Sequence, residues 1–282
     1  MIYTLLVSIS YVYIYPLLYM ISTSLKSPQD IINPMVSWVP TSLYVDNYVK
    51  AFKVLKFFPT LGKSLLITLI PAIIETIVSS IIGYGFAKFN FKYKTFWFIL
   101  VILTFLVPSA VYMIPKYVMF YKMKILNNPL AIILPAFFGQ GLNSAIFILI
   151  FYQFFRMIPT SIDEAAEIDG AGPYKRFFSI GIPLASPAFI TSFLFSLVWY
   201  WNETSNLSLF VGEKASILSL QIRLANFEAE YNTIYATTES IALNEGIYLA
   251  ATLLIILPML LVYFSLQRFF VEGIERTGIT GE

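Results

Sequence analysis

The 282-residue chain contains no cysteine and no histidine. Without cysteine there is no disulfide framework, no thiolate nucleophile and no iron–sulfur ligation. Without histidine the commonest metal ligand and the commonest general base are both missing, so no metal site is expected, and intramembrane metalloenzymes and histidine-dependent acyltransferases are excluded. Charge is scarce: only 12% of residues are Asp, Glu, Lys or Arg, and the net charge of +2 is too small to argue for a nucleic-acid partner. No G-x-x-x-x-G-K-[ST] phosphate loop occurs, so the chain cannot hydrolyse ATP by that route.

What is present is apolar. Hydrophobic residues make up 58% of the chain and the mean hydropathy is +0.77, far above a soluble domain. Helices of about 20 apolar residues cross a hydrocarbon core of about 30 Å, and six such stretches can be placed, at about 2–25, 64–86, 95–113, 130–151, 184–201 and 246–266. The expectation is an all-α membrane protein, a polytopic bundle of six transmembrane helices forming one domain over 1–282. The first stretch has no basic region before it and no small-residue cleavage site after it, so it reads as a retained span rather than a signal peptide; a short native segment is expected ahead of it.

Polar residues inside these stretches are the candidate sites. Glu75 lies near the middle of the second span, where a carboxylate costs a few kcal/mol against lipid. It must therefore face protein or a watery cavity. Two readings stand: a substrate or gate contact, or a buried carboxylate bonded to a neighbouring helix. Gln140 and Asn143 belong to a Gly139–Ser144 interruption of the fourth span, which either packs helices closely through small residues or lines a polar path. Trp199, Trp201 and Asn202 close the fifth span as W-Y-W-N. They read as an interface belt or as a stacking surface for sugar rings.

A long polar insertion between two strongly apolar segments in the second half runs from Pro159 to Pro187. Ser161 followed by Glu164 fits a capping box, Asp163 and Glu164 suit the positive end of a helix dipole, and Ala165 and Ala166 leave a smooth flank. Gly170 and Gly172 are placed to end that helix, and Pro173 to begin a second short one running through Arg176 towards Pro183. The pattern predicts a helix-turn-helix on the membrane surface.

Glu164-Ala165-Ala166, three residues to Gly170, and nine more to Ile180-Gly181-Ile182-Pro183 resemble the cytoplasmic loop of binding-protein-dependent ABC importer permeases, with Ile182 where leucine is usual. Softer matches resemble the sugar-importing branch: Ser22 to Lys26, Trp38 and Pro40, Asn47-Tyr48, Trp199 to Asn202, and the tail from Leu266 to Val271. The resemblance implies a carbohydrate permease subunit, with an oligosaccharide as the expected substrate, and no enzymatic activity and no cofactor of its own. ATP and Mg would be held by a P-loop ATPase present in two copies. A second, non-identical permease, an extracytoplasmic sugar-binding protein and membrane lipid complete the partners. It further implies that Glu164, Ala165, Ala166, Asp169, Gly170 and Arg176 form and support the ATPase-coupling element between the fourth and fifth spans, in a multi-pass protein of a bacterial or archaeal inner membrane with both termini cytoplasmic.

Charge alone does not set that orientation. The inside set (Lys88, Lys92, Lys94, Arg156, Lys175, Arg176, Arg268, Arg276) numbers eight basic residues and the outside set, which includes Lys116 and Lys214, ten; only the dense 88–94 connection reads clearly as cytoplasmic. A secondary transporter would instead use matched broken helices and several intramembrane carboxylates. Glu75 is the one clear case, and it would then be the leading site.

Overall fold

Long apolar segments satisfy their backbone groups internally when water is absent, and in the computed structural model the chain is built from helices throughout its described part, residues 2–212, 218–235 and 244–278, with side chains to 267. Lys214 lies outside this part, as do the side chains of Arg268, Arg276 and the tail beyond Gln267. The helices are α1 (Ile2–Ser24), α2 (Pro28–Ile32), α3 (Asp46–Leu55), α4 (Phe57–Lys88), α5 (Lys94–Leu106), α6 (Ser109–Lys122), α7 (Leu130–Phe137), α8 (Ser144–Met157), α9 (Thr160–Ile168), α10 (Pro173–Arg176), α11 (Ile182–Leu184), α12 (Ser186–Asn202), α13 (Leu220–Ala225), α14 (Phe227–Tyr235) and α15 (Glu245–Gly278).

Three helices, α1, α4 and the first 23 residues of α15, are each long and apolar enough to cross a membrane. Three bent pairs meet the same test together, which gives six spans if each pair counts as one. The bends have identifiable causes. Val107-Pro108 separates α5 from α6 at 99°, because a proline disfavours helical geometry in the residue before it. The third span therefore turns within its expected 95–113 range, and helix continues to Lys122. The fourth is split as well: α7 ends before Gly139, which has φ +65°, and α8 begins only after Asn143, with φ +57°. The second span starts seven residues earlier than its apolar run, at Phe57.

The chain divides into two compact units. The first comprises residues 1–63 and 218–261. Its centre is a knot of polar bonds among segments the sequence scatters. Asn47 Nδ2 donates to the carbonyls of Ser24 and Lys26 at 2.9 and 2.8 Å. Lys26 Nζ donates to the Ser37 carbonyl at 2.8 Å, Ser22 donates to the Trp38 carbonyl, and the Tyr48 and Ser24 hydroxyls lie 2.8 Å apart. The sugar-branch resemblances at 22–26, 38–40 and 47–48 thus include residues that hold one another. Gly246 fits against this knot because a Cβ there would lie 2.8 Å from Asn47 Nδ2. Fully buried Phe227 and Tyr231 of α14 complete the unit's apolar side.

The second unit comprises residues 64–217 and 262–282 and contains every candidate site residue. Pairs along α4 and α8 advance together: Glu75 meets Ser144, Gly83 meets Phe151, and Lys88 meets Ile158. The two helices therefore run parallel and end at the same level. α12 runs the opposite way, with Phe189 against Phe151 and Ser196 against Glu75.

Candidate coupling elbow and intramembrane polar cluster

The elbow begins where α8 stops. Pro159, with extended backbone at φ −54° and ψ 137°, takes the position before α9 and makes no side-chain cap. Ser161 consequently falls inside the first turn, two residues past the cap position, so the expected Ser161–Glu164 capping box does not form. α9 meets α8 at 71°. Its C-terminus follows expectation: Gly170 has φ +77°, its amide donates to the Glu167 carbonyl at 3.0 Å, and the Ala171 amide reaches back to Ala166 at 2.8 Å. That pair of bonds is the Schellman closure, which requires the left-handed conformation glycine accepts without strain. Gly172 then precedes Pro173 at the first position of α10.

Four of the six coupling candidates, Glu164, Ala165, Asp169 and Gly170, are exposed on the elbow, and Ala166 is turned inward at 8% exposure. Arg176 donates to Glu167 at 3.1 Å, bridging α10 to α9. Beside the polar candidates stand two large apolar side chains almost entirely outside the protein, Ile168 at 87% and Tyr174 at 84% exposure. Neither was singled out by its sequence context, although an isoleucine at the last position of a short polar helix is a usable signal.

The elbow is anchored by aromatic packing. After α10 the backbone widens into a π-helical turn over Phe177–Gly181, just ahead of Pro183, whose ring cannot continue a regular hydrogen-bond ladder. Phe177 enters the bundle against Tyr84 of α4, ring centres 4.9 Å apart, and Tyr84 meets Phe155 of α8 at 5.0 Å. Gly181 permits this closeness: a Cβ there would already stand 3.4 Å from Phe155 and 3.5 Å from Tyr84.

A second cluster lies deeper. Glu75 is fully buried. Its Oε1 accepts from Ser144 at 2.5 Å and its Oε2 from Ser196 at 2.9 Å. The Tyr200 hydroxyl accepts from the Leu142 amide at 3.2 Å, and a Cβ on Gly141 would lie within 2.6 Å of both Tyr200 Oη and Glu75 Oε1. Ser144, Ser196 and Tyr200 were not legible beforehand, because serines in apolar helices usually bond their own backbone. The other path candidates are not gathered here. Gln140 and Asn143 are exposed on the α7–α8 break. Trp199 leans on Phe147 at 5.1 Å, Trp201 is 3% exposed, and Asn202 is exposed with its amide donating to the Val198 carbonyl. Among the described residues no cluster of three or more acidic side chains could hold a metal ion.

The elbow is thus exposed on one side and fastened on the other to apolar helices of the second unit. The family model described as binding-protein-dependent transport system inner membrane component matches residues 76–276, and the chain belongs to that family. It is similar to the arabinooligosaccharides transport system permease protein AraQ of Halalkalibacterium halodurans, with 26% identity over 97% of this chain and 93% of that one. It is similar also to the lactose transport system permease protein LacG of Rhizobium radiobacter, with 28% identity over 96% and 93%. Among solved structures, a bacterial ABC transporter involved in the import of the acidic polysaccharide alginate has the same fold, at a TM-score of 0.80 and 22% identity over 95% of this chain and 94% of that one.

Proposed function

We propose that this chain is a permease subunit of an ATP-driven carbohydrate importer, that it takes an oligosaccharide, and that it couples to a separate ATPase through α9 and α10. The observation that carries the coupling is the elbow itself. It offers Ile168, Tyr174 and Ala165 to a partner while Ala166, Phe177 and Gly181 hold it against the bundle. Apolar side chains aimed outwards on a polar helix fit a protein cleft, and Glu164 and Asp169 at its rim would set register with basic partners.

The proposed stroke follows from connectivity. α9 continues from α8 through Ile158 and Pro159 alone, and it reaches α12 through α10 and the π turn. Displacement of α9 by ATPase closure would then tilt those two helices together. ATP and Mg act on the ATPase, of which two copies are expected. A second, non-identical permease would supply the other half of the path, and an extracytoplasmic binding protein would deliver the sugar. Both termini are assigned to the cytoplasm, the side on which α9 would meet its motor. The names of the relatives favour sugars and their oligomers as the substrate class. A secondary transporter working through Glu75 is less favoured, since both carboxylate oxygens are already engaged by serines.

The test is uptake of labelled oligosaccharides into proteoliposomes carrying the chain with its ATPase and second permease. Uptake that needs both ATP inside the ATPase compartment and the binding protein on the opposite side supports the reading. Uptake by this chain without ATP contradicts it.

A further inference from the structure

The elbow has covalent routes to α8 and α12 and none to α4, whose last residue lies 70 positions before Ile158 in sequence. Yet α4 carries Glu75 and meets α8 at Ser144, Phe151 and Ile158. Besides the Tyr84 ring packed on Phe177, one polar side chain bridges the gap. The Lys88 ammonium donates to the Ile158 carbonyl at 3.0 Å and pairs with Asp163 Oδ2 at 2.7 Å.

Both partners belong to the joint. Ile158 is the residue that closes α8, with extended backbone at ψ 119°. Its carbonyl stands at the negative end of the α8 dipole, where a cation is favoured. Asp163 lies in the first turn of α9. One ammonium therefore holds the end of one helix and the start of the next across their 71° bend. The pair is sheltered, with side-chain exposures of 12% for Lys88 and 18% for Asp163, so water and salt screen it much less than a surface pair. The Arg176–Glu167 bridge is different in kind, since its glutamate side chain is 70% exposed and such pairs contribute little.

The lysine is also backed mechanically. Tyr84, one turn earlier on α4, is wedged against Phe155 and Phe177. Gly83 brings the α4 backbone so near α8 that a Cβ would lie 2.6 Å from Phe151 Cβ. A close-packed contact transmits strain rather than absorbing it.

We propose that Lys88 is a positioning residue for coupling: through Asp163 and the Ile158 carbonyl it fixes the α8–α9 elbow and delivers the displacement of α9 to α4. This rests on the ATPase-docking role proposed above. A lysine that served only to fill space or to reach the membrane edge would be replaceable by an apolar side chain of similar length.

The test uses the complete transporter, with ATPase, second permease and binding protein, reconstituted in proteoliposomes, and reads ATP hydrolysed per sugar imported. Lys88→Met keeps the stem and removes the charge, Asp163→Asn removes the ionic partner while leaving the Ile158 bond, and Lys88→Arg keeps charge and reach. The expectation is that the ATPase stays bound in all three. ATP consumed per sugar should rise at least about fivefold, the lower end of measured coupling energies, in Lys88→Met and Asp163→Asn. It should remain near the parent value in Lys88→Arg. An unchanged ratio in Lys88→Met or Asp163→Asn overturns the proposal, as does a Lys88→Arg chain no better coupled than Lys88→Met. If Lys88→Met fails to assemble, Asp163→Asn with Lys88→Arg decides alone. Failure of the docking reading looks different: an Ile168→Asp chain that retains its ATPase and its coupling in full would remove that reading, whatever Lys88 does.

Discussion

The Ser144 hydroxyl, on the first residue of α8, donates to Glu75 Oε1 at 2.5 Å from the middle of α4. With Ser196 on the second oxygen, one carboxylate joins three helices. Removing it leaves two buried hydroxyls without their acceptor and a void. Glu75→Ala should therefore lower stability by about 1–3 kcal/mol, and Glu75→Gln, which keeps the volume and one acceptor, by less. Unfolding of the purified chain in mild detergent, titrated with a denaturing detergent, measures both. Equal and negligible effects would mean that the carboxylate is not a structural tie.

Two glycines two residues apart on α4 provide a matched comparison. At Gly83 a Cβ would lie 2.6 Å from Phe151 Cβ and 2.9 Å from the Tyr152 amide nitrogen, whereas at Gly85 nothing lies within 4 Å. Gly83→Ala should cost about 1–3 kcal/mol by overpacking. Gly85→Ala should be neutral or stabilise by up to about 1 kcal/mol through helix propensity. The same unfolding assay checks the difference in sign.

A carboxylate of the first unit carries a pH signature. Asp30 accepts from the Thr41 hydroxyl at 2.7 Å and its amide at 3.1 Å, and these bonds, the hydroxyl foremost, hold its carboxyl below the ordinary value against the opposing effect of burial. A depressed carboxyl stabilises fully above its unfolded pKa of about 3.9 and loses that contribution as pH falls through the folded value. Amide protection over residues 27–41 should thus be flat from neutral pH to about 4 and fall below it. Thr41→Val should reduce both the protection and its acid dependence. Protection that falls instead between pH 7 and 5 would contradict the assignment.

Glu164→Lys tests the docking face. Glu164 is exposed and caps nothing, so the reversal should leave insertion and fold intact while weakening ATPase retention and transport. Recovery of the ATPase at the parent level, measured by co-purification, would remove the contact assigned to it.

Much of this architecture was legible in the residues. The bounds of α1 and the start of α15 followed from apolar runs, and the close of α9 from Gly170. A glycine that ends a short polar helical segment has few other uses. The bends were less legible, because apolar residues continue on either side of Val107-Pro108 and of the Gly139–Asn143 break, and only backbone geometry separates a straight span from a folded one. No capping box forms because Pro159 supplies the extended residue before α9 that the sequence pattern assigns to Ser161. The ties that matter for coupling lay furthest from view. Lys88 reads as a charge at a span edge and Asp163 as a dipole partner. Their pairing across 75 positions depends on α4 and α8 running parallel.

The central claim is that this chain is the membrane half of a machine whose motor is another polypeptide, and gentle solubilisation followed by affinity purification of the chain from its native membrane tests it most directly. The account predicts a P-loop ATPase and a second, different permease among the co-purifying proteins. Recovery of this chain alone, monodisperse and transporting in liposomes without ATP, would contradict it.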